Sequence, residues 1–502
     1  MIRFFKTYYL LIFSALMLSL SRLPLYLGWL AFFAFIPLLF YFKKGNHSIL
    51  QNIISALIFC LIQILIVFYW IGSVTMGGLL GIWLLYSLYY WIAFIIVERV
   101  WLTFPKLKYS IFVAVFISFE FLQNFGEMRF PWWNIGYSLA DYLGLLQALE
   151  LGGLSLLAFL LLSFNYLFYL ILLRNRWPWF IIGLGFLFWY SLGQFRLLTL
   201  PTILQNQQIG IMQPSIVQDD KWDVQKYQEI MSVYDDLCTK ASLSGFHLLI
   251  FPEAAIPDYL LLEQSIRQDF QDLLEKHQLA IFTGFPHIEE APKGYPGIYY
   301  YYNAAALFKP SMPSTTNYYK NILVPVGERM LFLDQFPFLW NLQFGQANWE
   351  FGTKIPRYQC AGKEFSPSIC YELAFPHFMQ RANYNTDLGT LRKADFHVNI
   401  TNDAWFGTSY GPWLHATMTK FRAIESRIQI YRSANTGISM IVNPKGEIIR
   451  DAGLFERVNI TAPLYTSNVI TLYHRIYHYP WIFVCFTVVF TLLSIFIPRR
   501  AK

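Results

Sequence analysis

Two patterns of apolar and polar residues divide the chain. Over roughly the first 195 residues, and again at the end, apolar residues run in nearly unbroken blocks, at about 8–21, 25–42, 50–72, 78–97, 109–123, 154–173, 179–193 and 480–498. Several approach the ~20 residues that cross a bilayer as a helix, and the first and seventh are short. The pattern predicts eight spans, seven before residue 195 and one after 478. Arg3 and Lys6 precede the first block as they would in a signal peptide. No small-x-small cleavage site follows, however, and Ser21-Arg22-Leu23-Pro24 leads straight into the second block, so an uncleaved helix is expected.

Between these regions the periodicity changes. QQIGIMQP (207–214), HLLIFPE (247–253), LAIFTGFP (279–286), YYYNAAALF (300–308), FSPSICYE (365–372), FHVNITND (396–403) and TGISMIVNP (436–444) read as strands, and 223–242, 259–277 and 411–432 as helices. Strands interleaved with helices predict an α/β domain with a largely buried sheet. The expected organisation is spans over 1–194, a soluble domain over 195–478 and a last span over 479–502.

Composition agrees with a membrane protein: 56% of the 502 residues are hydrophobic and 14% are charged. Basic residues set the orientation, because Lys and Arg accumulate on the cytoplasmic side. Arg3, Lys6, Lys43, Lys44, Arg99, Lys106, Lys108, Arg174 and Arg176, with Arg499, Arg500 and Lys502, fall on one set of segments, whereas the opposite short loops hold Arg22 and Arg129. Both termini are therefore expected in the cytoplasm, and in a bacterial inner membrane the soluble domain in the periplasm. The net charge of +7 lies largely beside the spans, pointing to lipid headgroups rather than nucleic acid. The aromatic loop 124–137, with Trp132 and Trp133, has the composition of an interfacial anchor. Glu120, inside the fifth block, is costly in hydrocarbon and reads either as functional or as a helix-end carboxylate reaching the interface. Five cysteines without CxxC spacing or a His cluster predict neither a disulfide framework nor a structural metal, and leave open whether Cys238 and Cys360 pair.

Three of the expected strands end on polar residues: Glu253, Cys370, and Asn399/Asn402/Asp403. Strand ends and the loops after them are where open α/β sheets place their sites. Lys320 lies between them in NYYKNILVPVGE (317–328). Singly, Glu253 reads as an exposed cap, Lys320 as a solvated charge and Cys370 as a small buried hydrophobe. Together they supply a thiol nucleophile, a carboxylate to take its proton, and an ammonium that favours the thiolate and an oxyanion, the requirements of acyl transfer through a thioester.

FPEAAIP, YYKNILVPVGE and SICYE resemble the Glu, Lys and Cys motifs of the nitrilase (carbon–nitrogen hydrolase) superfamily. With VNITNDAWFG, RSANTGIS, LGWLAFFAFIPLLF (27–40), FPWWNIGY (130–137) and eight spans, the chain resembles its membrane-bound apolipoprotein N-acyltransferase family. The resemblance implies an αββα sandwich beside a helical bundle. It also implies transfer of an acyl chain from a phospholipid, typically phosphatidylethanolamine, to the α-amine of the diacylglyceryl-cysteine of an apolipoprotein, with no metal or organic cofactor. It assigns Glu253 as general base, Lys320 to the oxyanion and Cys370 to the thioester, with Trp222, Glu328, Tyr371, Glu372 and Asn402 lining or supporting the site. Arg329, where the family often has an aromatic residue, and Thr401, where Ser is common, depart from its pattern.

The residues themselves favour a lipid substrate. RMLFLDQFPFLWNLQFGQANWEFG (329–352) is a poorly charged arm that reads as dipping into a membrane interface or as a lid packed on the domain. A nitrilase-type amidase that gives its acyl group to water, and a transporter or receptor without chemistry, are the competing readings. His415 on the helix 411–432 reads as structural, and Arg427 and Arg432 are expected near that helix's C-terminal end, where they suit its dipole.

Overall fold

The computed structural model describes residues 2–45, 47–296, 298–310, 316–341, 348–387 and 390–497. Arg499, Arg500 and Lys502 of the charge pattern, and 342–347 of the arm, lie outside the described residues. The chain forms two compact units, Met1–Thr199 with Leu472–Lys502, and Leu200–Thr471.

The first unit is helical. Ile49–Phe68, Met76–Thr103, Leu149–Leu172 and Pro178–Thr199 are long and apolar enough to cross a membrane, while Thr7–Leu20 and Trp481–Phe496 are shorter apolar helices. The helix from Ile49 opens on a capping box, in which the Ser48 hydroxyl accepts the Gln51 N–H and the Gln51 side chain accepts the Ser48 N–H. The expected span over 25–42 is instead divided between a 3-10 turn, Gly28–Phe32, and a nine-residue helix, Ile36–Lys44. Gly28 lies so close to the Ser138 carbonyl that a Cβ would sit 2.0 Å from it, and Pro37 opens the second piece. Within Leu149–Leu172 the backbone breaks at Gly152 and Gly153; Gly153 has φ +61° and packs on the Tyr473 ring.

Trp132 and Trp133 are buried, which corrects their reading as an interfacial anchor. The Trp133 ring stacks on Tyr86 at 4.0 Å and on Phe68 at 4.4 Å, and its indole N–H donates to Gln63 at 2.9 Å. An indole with both faces covered and its donor satisfied gains more inside the bundle than at its surface.

The second unit carries two six-stranded sheets among the described residues. In chain order the strands are β1 Ile203–Gln213, β2 Leu248–Ile250, β3 Ile281–Glu290, β4 Tyr299–Phe308, β5 Tyr318–Tyr319, β6 Tyr358–Cys360 and β7 Lys363–Ile369. A separate hairpin is formed by β8 Tyr384–Asp387 and β9 Thr390–Lys393, followed by β10 Phe396–Thr401, β11 Gln429–Ala434, β12 Met440–Val442, β13 Ile448–Asp451 and β14 Val458–Thr466. The sheet orders are β14-β1-β2-β3-β4-β5 and β13-β12-β11-β10-β7-β6. In each, three strands run parallel: β1-β2-β3 in the first and β7-β10-β11 in the second.

The sheets face each other. Phe282 of β3 meets Tyr358 at 5.2 Å and Phe365 of β7 at 5.3 Å, and the Ser433 hydroxyl of β11 donates to the Met212 carbonyl of β1. Helices Tyr227–Leu243 and Gln264–His277 bury Tyr234, Leu237, Phe270 and Leu274 against Leu249, Phe251 and Ile281 of the first sheet. Pro376–Asn383 and Gly411–Ser426 lie against β7 and β11. The result is an αββα sandwich.

Seven strands, β5, β6, β8, β9, β11, β13 and β14, are absent from the sequence expectation, and one expected helix is cut short. The helix expected over 411–432 ends at Ser426, Arg427 turns into the left-handed region at φ +49°, and the chain continues as β11. Arg432 therefore belongs to a buried strand and pairs with Asp403 rather than with the helix dipole.

Candidate active site

The parallel strands β2, β7 and β10 deliver Glu253, Cys370 and Asn402-Asp403 just beyond their C-terminal ends. Cys370 opens a short 3-10 turn with φ +51°, a left-handed conformation that costs an L-residue energy and turns the chain sharply out of the strand. Glu372 holds this elbow. One of its oxygens accepts the Ile369 N–H at 2.7 Å and the Tyr318 hydroxyl at 2.5 Å; the other accepts the N–H groups of Asn321 and Ile322 at 2.6 and 3.1 Å. A single buried carboxylate thus ties the end of β7 to the segment that carries Lys320. Burial pushes the Glu372 carboxyl up to about 7 against these four donors, which favour its ionised form.

Lys320 is 1% exposed, and its ammonium lies 2.7 Å from Glu328 Oε1 and 3.3 Å from Glu253 Oε1. Asn303 of β4 donates to the same two carboxylates at 2.7 Å (Glu253) and 3.3 Å (Glu328), and the Asn402 N–H donates to Glu253 Oε2 at 2.8 Å. Glu328 is fixed in turn by the Val324 N–H at 2.7 Å. Burial alone would lower the Lys320 pKa, but Glu253 and Glu328 outweigh it and hold the ammonium above its ordinary value. The Cys370 thiol is pushed up, first by burial and then by Glu253, while Lys320 opposes the shift.

Asp403, the residue after Asn402, pairs with Arg432 at 2.6 Å and His415 at 2.9 Å. The Cys370 sulfur, an Asp403 oxygen and a His415 ring nitrogen lie within 4.8 Å of one another. This trio has metal-ligand chemistry, but Asp403 already neutralises Arg432, and both His415 nitrogens face protein partners.

The structure thus gathers Glu253, Lys320, Glu328 and Asn402 into one hydrogen-bonded network, while Glu372 ties the residues after Lys320 to the elbow that carries Cys370. Tyr371 is buried edge-on against Phe375 at 5.0 Å. Trp222 is 48% exposed, next to Lys221, whose buried ammonium donates to the Glu253 carbonyl at 2.9 Å. Burial lowers the Lys221 pKa to about 8. Sequence reasoning missed Lys221 and Asn303 and set Arg432 at a helix end. The signal for Asn303 was a lone amide inside the apolar run of β4; Lys221 and Arg432 carry no local mark. Cys238 sits in the apolar core and the Cys360 thiol donates to the His247 carbonyl at 3.4 Å, so the two are not bonded to each other.

The base of the arm is clasped. Arg329 pairs with Glu350 at 2.7 Å and Asp334 at 2.6 Å, and donates to the Trp349 carbonyl, whereas Phe336 and Phe338 beyond it are 51% and 63% exposed.

Comparison with known proteins matches residues 14–167 to the apolipoprotein N-acyltransferase N-terminal domain and residues 208–470 to carbon–nitrogen hydrolase. The chain is similar to the apolipoprotein N-acyltransferase of Chlorobaculum tepidum, 27% identical over 93% of this chain and 92% of the relative. It is also similar to that of Geobacter metallireducens, 28% identical over 72% of this chain and 70% of the relative. Among solved structures, an amidase from Nesterenkonia sp. aligns with 56% of this chain and 98% of its own, at 18% identity and a TM-score of 0.39. With over half of its length matched by that one model, the chain belongs to the carbon–nitrogen hydrolase family.

Proposed function

We propose that the protein is an integral-membrane cysteine acyltransferase that moves an acyl chain from a phospholipid to the N-terminal amine of the diacylglyceryl-cysteine of apolipoproteins. The observation that carries this reading is the shared network of Glu253 and Lys320 beside the Cys370 elbow. A thiol whose pKa is raised by burial reacts when its proton leaves as it attacks, and Glu253, the carboxylate whose charge acts on that thiol, is read as the group that takes it. Lys320, held as an ammonium by two carboxylates, is unsuited to be the base and suited to stabilise an oxyanion.

In the first half-reaction the Cys370 sulfur bonds to the ester carbonyl carbon, the ester C–O bond breaks, and the lysophospholipid leaves with the proton from Glu253. In the second, the lipoprotein amine attacks the thioester, Glu253 takes the amine proton, and the C–S bond breaks to restore the thiol. The ester supplies the driving energy, so neither half-reaction calls on a cofactor. Relatives that carry the name apolipoprotein N-acyltransferase, the apolar helices and the exposed phenylalanines of the arm support a lipid donor and a lipoprotein acceptor, with phosphatidylethanolamine the expected donor. The distribution of Lys and Arg supports a periplasmic site in a bacterial inner membrane, with both termini cytoplasmic.

Incubation with labelled phosphatidylethanolamine is expected to give a hydroxylamine-sensitive adduct on Cys370, and a lipopeptide amine is expected to discharge it. An adduct that still forms in Cys370→Ala would defeat the assignment, and discharge to water in preference to the amine would make the protein a hydrolase.

A further inference from the structure

Glu372 holds the Cys370 elbow through the N–H that precedes it; the carbonyl that follows the strained φ is held by a separate group with no part in the two half-reactions. His415 Nε2 lies 3.2 Å from the Cys370 carbonyl oxygen. A carbonyl only accepts, so Nε2 carries the hydrogen. The other ring nitrogen, Nδ1, lies 2.9 Å from Asp403 Oδ1 and 3.1 Å from Arg432 Nη2. Arg432 donates through Nη2 to Asp403 Oδ2 at 2.6 Å and through Nη1 to Asn399 Oδ1 at 2.8 Å. Asn399 then donates to the Ser368 hydroxyl at 2.9 Å, two residues before Cys370 on β7. The network leaves β7 at Ser368 and returns to it at the Cys370 carbonyl, closing a ring around the end of the strand.

Asp403, His415, Arg432 and Asn399 are each no more than 1% exposed. Burying a carboxylate, a guanidinium and an imidazole is expensive, and apolar side chains of similar volume would usually pack such a space at least as stably. What apolar residues do not supply is a directed donor on the carbonyl of a residue in the left-handed region. Rotation of that peptide unit would swing the Cys370 Cβ and sulfur relative to Glu253 and Lys320, both of which are anchored from other strands.

We infer that His415, whose Nδ1 accepts from the Arg432 guanidinium that Asp403 holds, is a positioning residue for thioester formation: it fixes the Cys370 carbonyl and through it the direction of the sulfur. The inference rests on the reading of Cys370 as nucleophile and deepens it. The role inferred for His415 runs through the backbone carbonyl of Cys370.

The test uses the full-length protein in detergent micelles with labelled phosphatidylethanolamine. Three quantities are measured: single-turnover thioester formation, KM for the phospholipid, and iodoacetamide alkylation of the Cys370 peptide by mass spectrometry. His415→Ala is expected to slow thioester formation about 30-fold, within the range that small misplacements of a reacting group produce, and alkylation about ten-fold, with KM within about two-fold. His415→Gln, whose amide N–H can reach the same carbonyl, should recover much of the loss. Folded His415→Ala with both rates within about three-fold of the parent, or a loss confined to KM, overturns the inference. Should His415→Ala fail to fold, the near-isosteric Asp403→Asn decides: a loss of about ten-fold or more in both rates supports the relay, and a smaller one overturns it. Cys370→Ala run alongside separates the two readings. Label persisting there defeats the thioester itself, whereas silent Cys370→Ala beside full-rate His415→Ala defeats only the relay.

Discussion

Glu253 and Glu120 are both carboxylates set in apolar surroundings, one in each unit, and they are treated differently. Glu253 is 6% exposed; its two oxygens accept from Asn303, Lys320 and the Asn402 N–H, and its backbone carbonyl accepts from Lys221. Glu120 is part-buried. One oxygen accepts the Ile135 N–H at 2.9 Å, and the other has no hydrogen-bond partner among the described residues. One strand (Asn303), two loops (Lys320 and Asn402) and a short helix (Lys221) of the α/β unit supply partners for Glu253, whereas Glu120 receives a single backbone N–H. Arg22 is the cation near Glu120, but it donates to the Trp132 carbonyl and lies over the Phe68 ring at 5.3 Å without pairing directly with the carboxylate. Loops at strand ends aim several donors at Glu253; the helical unit gathers donors on Glu98, from His47 and Asn52, but leaves Glu120 with one.

The largest effect that sharpens this comparison comes from the Glu253 network. Glu253→Gln and Lys320→Met are each expected to lower the rate of acyl transfer by about 10³-fold or more, since they remove a proton acceptor and a charge that stabilises the oxyanion. Lys320→Met carries a second signature. Lys320 opposes the upward shift of the Cys370 thiol, so its loss pushes that pKa further up and moves the rise of alkylation rate with pH to higher pH. A Lys320→Met protein with an unmoved alkylation profile and more than a tenth of parental activity would place the chemistry elsewhere.

Glu372→Ala comes next. It would leave the Tyr318 hydroxyl and the N–H groups of Ile369, Asn321 and Ile322 without their acceptor in a buried site. Unpaired buried donors cost on the order of 1–3 kcal/mol each, partly relieved by rearrangement, so a loss of about 3 kcal/mol is expected in unfolding of the α/β unit. Chemical denaturation of the full-length protein followed by tryptophan fluorescence measures it. A loss below about 1 kcal/mol would mean that Glu372 is not the strut that joins the elbow to the Lys320 segment.

These residues were not equally readable in the sequence. Glu253, Cys370 and Asn402 stood out because a polar residue ending an apolar strand has few structural reasons to be there. The network beneath them was harder to see. Arg432 fell inside what read as a continuing helix, because Ile424, Ile428 and Tyr431 keep helical spacing and Arg427 reverses the chain without the glycine that usually marks a left-handed cap. His415 looked like a lone helical histidine, since its partners lie just after β10, on β11 and just after β7, and periodicity reports one element at a time. In the helical unit the apolar blocks gave the positions of helices but not their continuity. The 3-10 turn before Ile36 packs Gly28 on Ser138, a contact 110 positions away in the chain that periodicity does not report.

The smallest effect is expected at Glu120, where the comparison can be broken most directly. Glu120→Gln keeps an oxygen for the Ile135 N–H and replaces the unpartnered oxygen with an amide of the same shape. It also removes a group that can ionise in apolar surroundings, a gain, while Arg22 loses a nearby carboxyl, a loss. These effects oppose each other, so thermal unfolding in detergent micelles should move by no more than the equivalent of ~1 kcal/mol, with acyl transfer within about two-fold of the parent. A tenfold fall in transfer with unchanged unfolding would give Glu120 a part in handling substrate, because a carboxylate serving only to hold the 130–137 segment would act through stability. The contrast with Glu253 would then be one between two functional carboxylates, the second working inside the bundle by its charge, which glutamine lacks, rather than by its hydrogen bond, which glutamine retains.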